Sequence, residues 1–381
     1  MRRRAVAALL RRRLRAFPAV ALVGARQCGK TTLARSLGGR YFDLEQEADR
    51  LRLDIEWDAV VRSRGLTVLD EAQSWPAVFP RLRGAIDADR RRHGRFLLLG
   101  SVSPSLMREV SESLAGRLAV CELTPFLVGE LPRRVADDLW LRGGYPDGGV
   151  LGGPAFPDWQ RQYLALLAQR DLPAWGLPAR PAVTDRLFRI LATSHAAVWQ
   201  AAPVGASLGL SYHTVSSYLE YVEGAYLVRR LPPFLPNLRK RLIRSPKLYW
   251  RDSGLLHALL GVGSREQLLA QPWLGASWEG WVIEQVLGHL ASRGQVHEAY
   301  FFRSSDGLEV DLVLEMGRTR WAIETKLTTA PAPADMERLV RAGDLIGATR
   351  RCLVSRTARP AAAGNTLSCD VAGLLRALDQ A

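Results

Sequence analysis

The sequence predicts an α/β chain in three parts: a parallel-sheet core, a helical middle segment, and a C-terminal α/β domain. Three observations predict it. A Val-rich apolar run enters a G-x-x-x-x-G-K-T loop and then a helical pattern. A second apolar run, about 40 residues on, ends in Asp70-Glu71. Near the C-terminus a hairpin pattern places an Asp on one strand and Glu-x-Lys on the next. The expected parts are residues 1–138, 139–236 and 237–381, which fits the two or three domains that a chain of 381 residues suggests.

The first part is the most explicit. "AVALVG" (19–24) reads as a buried parallel strand, bounded by Pro18 and Gly24. Gly24, Ala25, Arg26, Gln27, Cys28, Gly29, Lys30, Thr31 and Thr32 follow as loop and helix start. Strand, glycine loop and helix are the context in which this spacing is a P-loop. The loop N–H groups and the helix N-terminus attract phosphate. Lys30 is expected on the β/γ-phosphates and Thr31 on Mg²⁺. In "GLTVLDEAQ" (65–73), Asp70 is the expected partner of the Mg²⁺ and Glu71 the group that polarises the attacking water. "RFLLLGS" (95–101) reads as a third strand, with the Ser101 hydroxyl aimed at the γ-phosphate or the lytic water. Further strands are expected at 41–45 and 117–123.

"GARQCGKTTLARSL", "TVLDEAQ", "LLLGSVSPSLM" and "ESLAGRLAVCELTPF" resemble the prokaryotic AAA-type P-loop ATPases that carry a C-terminal conserved domain of unknown function. The resemblance runs over nearly the whole chain. It implies ATP and Mg²⁺ as cofactors, a homo-oligomer with sites between subunits, and Arg117 as an arginine finger acting in trans. It also implies that Arg170-Asp171 ends a helix near the ATPase core. Family patterns usually carry a hydrophobic residue where this chain has Cys28.

Beyond Ala136 the Pro/Gly-rich "GGVLGGPAFPDW" reads as a linker into helices. In "PVGASLGLSYHTVSSYLEYVEGAYLVRRLPPF" (203–234), helix, turn, helix and strand form a winged helix-turn-helix pattern. Its second helix would present Ser211, Tyr212, His213 and Thr214 to DNA bases or phosphates. The basic stretch "NLRKRLIRSPK" (237–247) would track phosphate.

The C-terminal part holds a second chemical signal, "DGLEVDLVLEMGRTRWAIETKL" (306–327). Strict alternation puts Val310, Leu312 and Leu314 on one face, with Glu309, Asp311 and Val313 on the other. The hairpin brings Asp311, Glu324 and Lys326 together, a pattern that resembles the PD-(D/E)xK nuclease core and implies a restriction-endonuclease-like fold. On that resemblance Asp311 and Glu324 bind Mg²⁺ and Lys326 orients water, with Glu279 or Glu284 adding a carboxylate.

Composition narrows the partners. The formal net charge is +14, with basic clusters at 2–15, 81–95 and 237–251, which points toward a polyanion. Only four of the 52 basic residues are Lys: Lys30, Lys240, Lys247 and Lys326. In so Arg-biased a chain, a Lys marks a place that needs a compact ammonium. No uncharged apolar run reaches the length of a membrane span. The N-terminal apolar run Ala5–Leu10 is short and followed by three Arg, so it reads as a retained amphipathic helix. The four cysteines form no C-x-x-C pair, and a cytoplasmic location fits them. Three functions are compatible: an ATPase acting on DNA, an ATP-regulated metal-dependent nuclease, and a nucleotide switch that controls protein assembly.

Overall fold

The computed structural model describes residues 2–100, 114–136, 138–235 and 245–380. Its N-terminal sheet has the order β2-β3-β4-β1-β5, all parallel, from β1 (Ala19–Val23), β2 (Arg40–Asp43), β3 (Thr67–Asp70), β4 (Phe96–Gly100) and β5 (Leu118–Glu122). Helices cover both faces of β1, so all five of its residues are buried, as a central parallel strand requires. Val20 and Leu22 face α1 (Val6–Ala16) and the middle segment. Ala19, Ala21 and Val23 face α3 (Glu47–Arg62) and α4 (Val78–Ala88) through Leu53, Phe79 and Ile86. Between them α2 (Lys30–Arg35) leaves the glycine loop. Helix α1 is amphipathic as expected. It buries Val6, Leu9 and Leu10 and leaves Arg11 and Arg12 exposed.

In the middle segment a single helical turn, Leu139–Arg142, precedes α5 (Asp158–Leu166), which runs into a π turn, Leu167–Asp171. Helices α6 (Pro181–Thr193), α7 (Ala201–Leu208) and α8 (Tyr212–Gly224) follow, then a three-stranded antiparallel sheet. Its order is β6-β8-β7, from β6 (Ala197–Val198), β7 (Val228–Leu231) and β8 (Lys247–Trp250). Helix, turn, helix and strand thus follow one another in the expected order, with Gly209 in the left-handed conformation at the turn. The boundary expected at 236–237 runs through this sheet, because β8 pairs with β7 on its far side. Helix α9 (Ser253–Leu259) continues from β8 and packs back on the same core.

The C-terminal sheet has six strands in the order β13-β14-β12-β11-β10-β9. They are β9 (Glu298–Arg303), β10 (Glu309–Met316), β11 (Thr319–Thr325), β12 (Arg350–Val354), β13 (Ala361–Ala363) and β14 (Thr366–Cys369). Long α10 (Leu274–Arg293) and α12 (Val371–Asp379) cover one face, and α11 (Pro333–Leu345) covers the other. The alternation expected in β10 is broken. A bulge between Val310 and Val313 moves Val310 to the face of Val313, away from Leu312 and Leu314. The extra residue resets the side-chain period, which is what a bulge does, and Asp311 stands within it.

Candidate nucleotide site and carboxylate cluster

The glycine loop is built as its spacing demands. Gly24 has φ +147°, and a Cβ there would lie 2.1 Å from the Leu123 carbonyl oxygen, so only glycine fits. Gly29 caps α2 in the left-handed region. Lys30 is buried, and its Nζ donates to the carbonyls of Gly24 and Ala25, both at 2.9 Å. Cys28 is fully buried, with Sγ 3.3 Å from the Leu123 oxygen. Burial pushes its thiol up, so it packs here as a small apolar residue. Arg4 braces the loop from outside by donating to the Cys28 carbonyl at 2.9 Å.

Across the sheet, β3 delivers its acids to the same edge. Thr31 Oγ1 donates to Asp70 Oδ2 at 2.7 Å, and Tyr41 Oη donates to the same oxygen at 2.6 Å. Glu71 follows the strand in the left-handed conformation, φ 47°, which is uncommon for a residue with a side chain. Burial raises its carboxyl, against the Lys30 charge and the Gln73 amide that donates to it. A cavity of about 220 Å³ opens here, lined by Arg26, Glu45, Glu71, Gln73, Arg170 and Asp171. Hydroxyl and carboxylate oxygens are the hard donors that Mg²⁺ takes, so Thr31 and Asp70 fit that ion.

Arg170 and Asp171 lie at this core but do not end the helix, which runs on through Leu172–Ala174, and Asp171 pairs with Arg26 of the loop at 2.5 Å. Ser101 lies outside the described residues. Arg117 precedes β5, at the edge of the sheet opposite the loop, since Leu118 pairs with Ala19 and Glu122 with Val23. There it donates to both oxygens of Asp87, at 2.8 and 2.9 Å. The pair holds the Asp87 carboxyl down at about 2. Arg117 therefore cannot reach the site of its own chain. On α8, Ser211 and Thr214 are engaged with each other as an N-cap, while Tyr212 and His213 are exposed.

In the C-terminal domain, Asp311 Oδ2 accepts from the backbone N–H and the hydroxyl of Thr325, each at 2.8 Å. Lys326 Nζ donates to Glu324 Oε1 at 2.8 Å, and the other Glu324 oxygen is buried without a partner among the described residues. Burial, then the Asp311 charge, pushes Glu324 up to about 8. The same two causes raise Glu279 to about 7, although Lys247 Nζ and Tyr249 Oη donate to it at 3.0 and 2.6 Å. Asp311, Glu324 and Glu279 thus share one electrostatic neighbourhood, but among the described residues no three His, Cys, Asp or Glu are arranged to hold a metal. Glu284 belongs elsewhere. Arg229 and Arg251 grip it in a buried cluster, which removes it as the extra acid. Sequence reasoning missed Tyr41, the Arg26–Asp171 pair and the role of Lys247. The scarcity of Lys was the available signal for the last.

Comparison with known proteins agrees with this architecture. Residues 16–131 match the family model described as AAA domain. Residues 133–266 and 274–370 match two models described as domains of unknown function, DUF8612 and DUF4143. Uncharacterized protein Rv2008c of Mycobacterium tuberculosis is 39% identical over 342 residues, covering 87% of this chain and 75% of that protein. Uncharacterized protein Mb2031c of Mycobacterium bovis matches with the same figures. Among solved structures, the crystal structure of a DNA replication initiation factor matches 57% of this chain and 87% of its own at 12% identity, with a TM-score of 0.27. Protein VC1899 from Vibrio cholerae matches 95% and 92% at 13% identity, with a TM-score of 0.19. Superpositions this loose assign nothing to the chain.

Proposed function

The chain belongs to the family of these two mycobacterial proteins and carries an AAA ATPase domain at its N-terminus, and from that premise we propose that it is a Mg²⁺-dependent ATPase acting on DNA. The observation that carries the reading is the meeting of the loop and β3, where Thr31 and Asp70 touch and Glu71 faces the adjoining cavity. Lys30 would leave the loop carbonyls for the β/γ-phosphates. Thr31 and Asp70 would hold Mg²⁺, which supplies charge neutralisation on the phosphates when bound. Glu71 would take a proton from the attacking water, and Arg117 would serve a neighbouring subunit. Phosphoryl transfer is driven by such positioning and charge. The net charge of +14 and the exposed Tyr212 and His213 of the winged helix support a DNA partner.

The test is ATP turnover with Mg²⁺, alone and with single-stranded, duplex, forked and four-way DNA, with Lys30→Ala as the blank. Strong stimulation by one form of DNA is expected. Turnover indifferent to every DNA would sink the DNA reading and favour a nucleotide switch acting on protein assembly.

The juxtaposition of Asp311, Glu324, Lys326 and Glu279 favours a second reading, metal-dependent cleavage of DNA by the C-terminal domain. Divalent-dependent nicking that disappears in Glu324→Ala would establish it.

A further inference from the structure

Arg26 occupies the third position of the glycine loop, and the middle segment grips it twice. Tyr163, on α5, donates its hydroxyl to the Arg26 carbonyl at 3.1 Å. Asp171 accepts from Arg26 Nη1 at 2.5 Å. Asp171 ends the π turn, and such wide turns are rare and frequently mark functional sites. The turn carries Asp171 inward, where it is 5% exposed, and leaves Arg170 on the surface with its Nε 3.3 Å from the same carboxylate oxygen. Arg26 and Arg170 both line the cavity that holds Glu71.

We propose that Arg26 is exchanged between Asp171 and the terminal phosphate of a bound nucleoside triphosphate, so that Asp171 is a positioning residue through which the middle segment senses the triphosphate. The proposal rests on the reading of the loop as an ATP site. Lys30 and Arg26 are the two cations of the loop, and a terminal phosphate offers the planar guanidinium more charge and more oxygens than one carboxylate does. The exchange leaves no bare buried charge behind, because Arg170 stays beside Asp171 to neutralise it. A diphosphate ends short of this position and leaves Arg26 with Asp171. The middle segment then gives up the Asp171 half of its hold on the loop, keeping the Tyr163 hydroxyl on the Arg26 carbonyl, only when the third phosphate is present.

The experiment is calorimetric titration of the full chain with Mg-ADP and with a non-hydrolysable ATP analogue, for wild type, Asp171→Asn, Asp171→Glu, Arg26→Ala and the Arg26→Ala/Asp171→Asn double variant. Asp171→Asn removes the competitor, so the analogue binds about tenfold tighter, the size of one charge-assisted hydrogen bond, and ADP binding stays put. Asp171→Glu keeps the carboxylate and restores wild-type affinity. Arg26→Ala weakens the analogue and not ADP, and Asp171→Asn has no further effect in that background. If Asp171→Asn unfolds, Arg26→Ala alone still decides, since equal loss for both nucleotides overturns the exchange. Independent, additive effects of the two substitutions overturn it as well. A wild-type chain that binds neither nucleotide sinks the ATP-site reading and this proposal together. Binding of both with Asp171→Asn unchanged sinks the exchange alone.

Discussion

Thr31 Oγ1 and Asp70 Oδ2 lie 2.7 Å apart, joined by a hydrogen bond across 39 residues of sequence. The contact exists because β1 and β3 flank β4 in a parallel sheet, which brings the loop after one strand beside the last residue of the other. It sets a hydroxyl and a carboxylate side by side, as the proposed Mg²⁺ site requires. Thr31→Ala keeps the loop and removes one oxygen donor. Turnover is expected to fall on the order of 10²-fold, the scale of losing part of a metal's charge stabilisation. The loss appears in a Mg²⁺ titration as a raised requirement for the ion, with nucleotide binding in EDTA unchanged.

Glu71→Gln separates binding from chemistry. Glu71 faces the cavity beyond the loop, and only its neighbour Asp70 touches Thr31. The amide matches the carboxylate in shape but accepts no proton, so kcat should fall about 10²–10⁴-fold, the usual contribution of a general base. Nucleotide affinity stays at the wild-type value. An equal loss in affinity and kcat would show that Glu71 holds the loop together instead.

Where the sequence was readable, local chemistry and tertiary structure agreed. Val-rich runs bounded by Pro18 and Gly24 made β1 legible, and the glycines made the loop legible, because each residue type answers a backbone demand at its own position. The alternation of β10 misled because a bulge is a decision of the partner strand. Nothing in "LEVDLVLE" announces the extra residue opposite β9. Glu284 misled for a related reason. Its helix α10 is buried along most of its length, so helical spacing did not say which acid faces β10 and which faces Arg229 and Arg251. Arg26–Asp171 joins residues 145 apart, a separation that no local pattern encodes.

Asp252 supplies a pH dependence of stability. It caps α9 and accepts from the N–H of Gly144 at 2.7 Å and of Leu255 at 3.0 Å. That ties down the turn whose Pro146 flanks Gly29 of the loop. Burial raises its carboxyl from 3.8 to about 6 against these donors. The folded chain therefore keeps a proton that the unfolded chain has released. The associated stability is full below pH 3.8 and is lost as pH rises to about 6. At roughly 1.4 kcal/mol per unit the loss is on the order of 3 kcal/mol. Urea unfolding at pH 4, 5, 6 and 7 measures it. Asp252→Asn, which keeps an accepting oxygen at the cap, should flatten that part of the profile.

If Arg117 acts on a nucleotide as proposed, it does so in another subunit, because the loop of its own chain lies across the sheet. Its bidentate pair with Asp87 would be the resting partner that it gives up on assembly. Arg117→Ala should then reduce turnover about 10³-fold, the lower end for an arginine finger, without changing nucleotide affinity. The decisive measurement is a mixture. Lys30→Ala chains cannot hydrolyse ATP but still carry Arg117, and Arg117→Ala chains retain an intact loop. If the finger acts in trans, the two inactive proteins restore turnover when combined, with a yield that follows the mixing ratio. If Arg117 only braces Asp87 and the end of α4, mixing restores nothing, and the single variant loses thermal stability in place of kcat.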